Sequence, residues 1–380
     1  MKKVLVAAAG LMLAGTMVST AMADVTFSGD ARVRYYNQSD YNAFDSKAQV
    51  EADGYVAKDS NDFFNERVRL QWKATTKGGA YAVGRFRLAD TTLNGTTNTR
   101  AGGEKSNLYI DKAYIGVPMG PVTFEGGLSY RSVTPFFYYD NAADFVQVKY
   151  AADNTNLVAF YDILEEEDIS VTGNDSDRFG AVLNQKFGGG WAMTAGAMYV
   201  SDDADEGNEG FMGTINVSGD VGVGLEAEIS FIESDLAGGT DDAMGGFIAA
   251  SMPLGAASLT ATAGFANDGF VVDDDFASGF VIYGDASQIG GNAIGADGDT
   301  SFFSLAASFK ASEKLTLGAS VGYADTDNLD GIFDIGATAA YAVTDGATLK
   351  AIAGYADVDT PGDTNADNPF GFGLSLEIAY

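Results

Sequence analysis

The chain contains no cysteine and no histidine. Without cysteine there is no disulfide framework, no thiolate metal site and no covalent haem attachment. Without histidine the commonest general base and metal ligand is missing, and serine or cysteine nucleophile systems that depend on it are excluded. Proline is scarce, with 6 among 380 residues. Basic residues are few and unevenly placed: Lys310, Lys314 and Lys350 are the only ones from residue 188 onward, and every arginine lies at or before Arg178. The formal charge of −31 excludes a nucleic-acid partner, because phosphate binding needs a basic surface. Beyond the first 23 residues no stretch approaches the ~20 apolar residues of a membrane helix.

Glycine, by contrast, is abundant at 48 residues, and phenylalanine and tyrosine are frequent at 25 and 18. The opening MKKVLVAAAGLMLAGTMVSTAMA has Lys2 and Lys3, an apolar run and an Ala21-Met22-Ala23 cleavage site. It reads as an export signal of residues 1–23. Residues 24–380 then form a single domain. Its dominant pattern has period two. The chain ends FGFGLSLEIAY, with Phe370, Phe372, Leu374, Leu376, Ile378 and Tyr380 on one face and small or polar residues between them. LTLGASVGY at 315–323, VGLEAEISF at 223–231 and WAMTAGAMY at 191–199 repeat it.

Tight connections alternate with long ones. KGGA (77–80), VPMGP (117–121), ADNTN (152–156), FGGGW (187–191), SGDVG (218–222), PLGAA (253–257), ASEK (311–314) and TDGA (344–347) are short. Segments 38–62, 91–105, 132–143, 164–176, 201–210, 234–243, 266–299, 325–331 and 357–368 are longer and acidic or asparagine-rich. This spacing predicts an all-β fold, a transmembrane antiparallel β-barrel of 16–18 strands with 18 the best count, with short periplasmic turns and long acidic extracellular loops. In hydrocarbon only helices or closed barrels satisfy every backbone group, so the apolar face of each strand is assigned to lipid and the polar face to a wet interior. Aromatic residues at strand ends (Tyr130, Trp191, Tyr199, Phe211, Phe231, Phe265, Phe309, Tyr323, Tyr355) fit interfacial girdles. The competing reading is a soluble, secreted, acidic β-sandwich or solenoid, since alternation alone does not tell lipid from a protein core.

Arginines recur at i, i+2: Arg32/Arg34, Arg67/Arg69 and Arg85/Arg87. That spacing puts both members of a pair on one strand face. A charge on the lipid face near the midplane costs about 2–4 kcal/mol, so the pairs are assigned to the interior as a basic wall, with Lys73, Lys112 and Arg131 extending it. Glu226 and Glu228, half-way round the ring, are the expected acidic wall. Inward charges that merely pair locally are the bland alternative. The run Phe136, Phe137, Tyr138, Tyr139 and Asp140 is a candidate constriction segment, either packing inside the barrel or offering a stacking surface to sugars. No metal site is expected: DTDNLDG at 325–331 lacks the register and distal glutamate of a calcium loop, so the acidic loops read as solvated, with weak divalent binding, and structural calcium is the alternative.

VTFSGDARVRYY after the leader, ERVRLQWKATT at 66–76, IDKAYIGV followed by GPVTFEGGLSYR at 110–131, and the aromatic terminal strand together resemble the general porins of Gram-negative outer membranes. The resemblance implies a water-filled channel for passive diffusion of small hydrophilic solutes and ions, no enzymatic activity and no cofactor. It further implies outer-membrane localisation, a homotrimer, and recognition of the terminal strand (Phe372, Leu374, Leu376, Ile378, Tyr380) by the barrel-assembly machinery. Two departures stand out. The segment after Arg131 lacks the family's acidic-glycine motif, and the strand count exceeds the family's 16. A channel selective for carboxylates or sugars is the alternative transport reading; a non-transport barrel, such as an adhesin or a sheath around an electron carrier, is the third.

Overall fold

A computed structural model describes residues 24–44, 60–93, 109–165, 175–202, 208–237, 241–284, 287, 289–329, 331–359 and 368–380. The proposed leader, residues 1–23, lies outside the described residues. The strands are β1 (Asp24–Ser39), β2 (Ser60–Thr75), β3 (Tyr81–Leu93), β4 (Tyr109–Met119), β5 (Val122–Arg131), β6 (Asn141–Ala151), β7 (Thr155–Glu165), β8 (Ser176–Lys186) and β9 (Ala192–Asp202). They continue as β10 (Gly210–Asp220), β11 (Gly224–Ile232), β12 (Ala243–Leu254), β13 (Ala257–Asn267), β14 (Thr300–Lys310), β15 (Leu315–Thr326), β16 (Gly331–Thr344), β17 (Ala347–Asp359) and β18 (Phe370–Ala379). Every strand pairs with its sequence neighbours and β18 pairs antiparallel with β1, closing an 18-stranded barrel. No described helix is long and apolar enough to cross a membrane; the strands do the crossing.

The predicted turns and loops coincide with the observed connections because glycine-rich and Pro-Gly sequences sit where the backbone must reverse. Gly79, Gly120, Gly255 and Gly346 have positive φ at four of these turns. Closure puts the chain's end against its beginning. Gly29 and Tyr380 exchange backbone hydrogen bonds of 2.7 and 3.0 Å, and the Tyr380 ring lies over Gly29, where a Cβ would fall 2.7 Å from it.

The two faces of the sheet have opposite character. Phe27 and Val33 on β1, Ile115 on β4, Val146 on β6, Ile248 on β12 and Leu376 on β18 point outward and are exposed, forming the lipid belt. The core lies inside the ring. It is an apolar cluster containing Phe136, Phe247, Phe270, Phe280, Ile282, Tyr283 and Ile289, built where two long connections fold inward onto the far wall.

Candidate functional site: the lumen wall and its inserts

Register places the arginine pairs together. Arg32 faces Arg67 and Asp30 faces Arg69 across β1 and β2, while Arg69 faces Arg87 across β2 and β3. Opposed residues share a sheet face, so these side chains project into the interior with Arg34 and Arg85. They are tied to strand carboxylates. Asp30 accepts from Arg67 at 3.2 Å and from Arg69 at 2.8 Å. Asp111 accepts from Arg85 at 2.8 Å through both oxygens and from Arg87 at 2.6 Å. Glu377 is shared by Arg34 (3.5 Å) and Lys350 (2.7 Å) across the closing seam. Asp162, fully buried, is shared by Arg131 (3.0 Å to Nε) and Arg178 (2.8 Å). Each of these four carboxylates therefore serves two cations. Lys149 and Glu125 add a one-to-one pair at 2.6 Å.

Local irregularities aim these groups. In the β3–β4 ladder Arg85 faces Lys112 but Phe86 faces Ile110, so Asp111 is an extra residue. Such a bulge turns two consecutive residues toward one side. Asp111 thereby reaches both arginines, while the Lys112 ammonium sits 5.3 Å from the Tyr130 ring centroid. Tyr130 corrects an expectation. Instead of joining the outer girdle, it donates its hydroxyl to Asp111 (3.3 Å), accepts from Arg87 (3.0 Å), and lies 5.3 Å from the Arg85 guanidinium. The inner wall offers it charged partners, which the lipid face does not.

The candidate constriction segment folds inward. Ser132 Oγ accepts from the Asp140 amide (2.9 Å) at its neck, and a tight turn links Thr134 and Tyr138. Phe136 and Phe137 are buried; the Phe136 ring lies 5.0 Å from Phe247 and 5.5 Å from Phe270. Arg178 donates to the Tyr138 hydroxyl and its guanidinium lies 4.6 Å from that ring. Tyr139 and Asp140 remain exposed at the neck.

The expected acidic wall is rearranged. Glu228 is buried beneath the inward segment and accepts from Thr134 (2.5 Å), Thr214 (2.8 Å) and Asn216 (3.0 Å). A carboxylate so covered and so fully hydrogen-bonded does not face a water column across from the arginines. Glu226 stays exposed beside Asn216. Carboxylates reach the interior from the connections instead. Asp273 accepts from the Tyr139 amide (2.8 Å), its own amide donates to the Phe136 carbonyl (3.1 Å), and Asp274 and Asp275 follow it. Burial, with Asp274 and Asp275 alongside, pushes the Asp273 carboxyl up to about 6. Three carboxylates lie together here, but their mutual contacts alone do not make a cation site.

A family model described as "Gram-negative porin" matches residues 4–361. The fold and the charged interior thus define a transmembrane β-barrel channel. This chain belongs to the Gram-negative porin family, and it is an outer-membrane porin for small solutes. Among solved structures, OccK9 (OpdG) of Pseudomonas aeruginosa aligns at TM-score 0.61 and 13% identity, covering 94% of this chain and 99% of that one. OpdQ of P. aeruginosa gives 0.61 and 10%, covering 94% and 98%. OccAB1 of Acinetobacter baumannii gives 0.58 and 12%, covering 96% and 99%. At these identities the likeness concerns the fold. No curated protein matches the chain by sequence.

Proposed function

We propose that the channel passes small hydrophilic solutes and ions passively, favouring anionic or dipolar ones along the cationic wall of β1–β8. The observation that supports this is the gathering of the arginine pairs of β1–β3, with Arg131 and Arg178, on one inner wall where Asp30, Asp111 and Asp162 each bond two guanidinium groups, inside a chain of net charge −31. Asp140 and Asp273–Asp275 supply the opposing negative edge in place of Glu228. Field lines between such edges concentrate in the water because the surrounding wall is poorly polarisable. Transport on this reading needs no catalysis, nucleotide or cofactor, and the acidic loops bind divalent cations at most weakly. On the same reading the channel assembles as a homotrimer, and Phe372, Leu374, Leu376, Ile378 and Tyr380 are what the barrel-assembly machinery recognises; family membership supports both. The test is the reversal potential in planar bilayers under a salt gradient. Arg67→Glu with Arg69→Glu moves it toward cations; an unchanged ion preference removes the wall from the account. Block of the current by one carboxylate class, but not by sugars, would mark the selective version of the same channel.

A further inference from the structure

The described residues of the connection between β13 and β14, 268–284, 287 and 289–299, meet the inner face of every strand from β12 to β18. Phe270 lies against Gly245, Gly295 against Ala266, and Ser278 accepts from Ser304. Phe280 lies against Gly322, and Val281 and Ile282 against Gly336 and Gly354. Ile289 lies against Gly371, and Tyr41 beyond β1 donates to its carbonyl. A Cβ at Gly322 would fall 2.5 Å from the Phe280 ring, and one at Gly354 2.6 Å from Val281 Cγ1. The inner wall is thus a glycine-lined seat filled by apolar side chains. Left empty in a water-filled lumen, the same surface would expose Ile332, Ala324, Ala356 and Phe302, all now buried, to water at about 25 cal/mol per Å².

A second, independent feature fixes the segment. Asp334 of β16 is completely buried, and its carboxylate accepts three consecutive backbone amides: Val281 at 3.1 Å, Ile282 at 2.6 Å and Tyr283 at 2.9 Å. The chain at 281–283 is no part of a strand or helix, so this carboxylate supplies partners that secondary structure does not. We infer that residues 268–284 and 289–299 are a permanent lumen insert that sets the bore of the channel, and that Asp334 is the positioning residue that holds it. The inward segment 132–140 acts jointly with it: Phe136 lies 4.9 Å from Phe276, and Asp273 bonds to Phe136 and Tyr139. The water path is thereby displaced toward the cationic wall.

The inference rests on the channel reading, and its test has one arm that needs no conduction. The chain has no cysteine, so Val281→Cys with Gly354→Cys introduces the only two thiols. The seat places these positions within disulfide reach. Oxidation of the folded, detergent-solubilised barrel should cross-link them nearly completely, and single-channel conductance should be the same oxidised and reduced. Failure to cross-link in a barrel that still runs as folded on unheated gels, or a conductance that changes on oxidation, overturns the permanent insert. Asp334→Ala should raise the conductance step by roughly twofold by freeing one side of the lumen, and Asp334→Asn, which retains one acceptor oxygen, should fall between. An Asp334→Ala barrel that folds and conducts like the parent overturns the assignment of Asp334. A parent barrel that does not conduct sinks the channel reading instead, while the cross-link still reports on the insert.

Discussion

Replacing Asp162 by alanine probes the reasoning most sharply, because this carboxylate has no exposure and holds two guanidinium groups. Removing one partner of a buried ion pair costs about 3–5 kcal/mol, chiefly because the remaining charge is left desolvated and unpaired. Here two charges are left. Arg178 has a side-chain exposure of 3%, Arg131 of 10%. Arg131 also keeps Gln147 at 2.7 Å and the Phe160 ring at 3.8 Å, so part of its loss is recovered. The expected destabilisation is therefore about 3 kcal/mol, at the lower end of that range. Urea unfolding in detergent, followed through the fluorescence of Trp72 and Trp191, measures it. The triple variant Asp162→Ala, Arg131→Leu, Arg178→Leu distinguishes the cause. Apolar groups replacing a whole buried ionic cluster are often neutral, so it should lie within about 1.5 kcal/mol of the parent. A single variant losing less than about 1 kcal/mol, or a triple variant as unstable as the single, would refute desolvation as the reason the cluster matters.

Ile248, 65% exposed on the outer face of β12, should tolerate Leu but lose about 2–4 kcal/mol as Arg, read from the same unfolding curves; an indifferent Ile248→Arg would mean that this face does not meet lipid. Asp273 should show a pH signature. Its carboxyl titrates near 6 in the fold, above its ordinary value, so ionising it opposes folding, and the native state is favoured as pH falls through 6 toward 4. Asp273→Asn should accordingly stabilise the barrel more at pH 7.5 than at pH 5, measured as the difference in Tm from the parent; equal shifts at the two pH values would contradict it. At the closing seam, Gly29→Val should lower the yield of heat-modifiable barrel, because the side chain would meet the Arg69 carbonyl and the Tyr380 ring; normal yield would show that the β1–β2 backbone and the ring have room to move.

The strand plan was legible because each turn carried its own chemistry. KGGA, PLGAA and TDGA announce reversals that the strands then obey. The inward direction of the arginine pairs followed from parity alone, since Val33, Val68 and Phe86 claim the other face. Their partners were only half legible. Asp30 precedes Arg32 by two residues and could have been placed beside the pairs by the same parity. Asp111 could not, because a bulge defeats parity where it occurs. Glu228 was placed on the correct face, but nothing local announces that Thr134, far away in the chain, covers it. Segment 266–299 counts in the sequence among the long extracellular loops, yet its runs Phe270–Val272 and Phe280–Tyr283 are too apolar for one. The glycines of β15–β18 on the inner face were the matching half of that signal. Reading both together requires knowing which strands stand opposite the segment, and that is a property of the closed ring.

A water-filled passage bounded by a positive wall is open to single-channel recording of the unmodified protein across graded potassium chloride. Discrete open steps should appear that scale with bulk salt conductivity and carry a modest chloride preference. Absence of steps from material that is folded and membrane-inserted, or steps that prefer potassium, would contradict it.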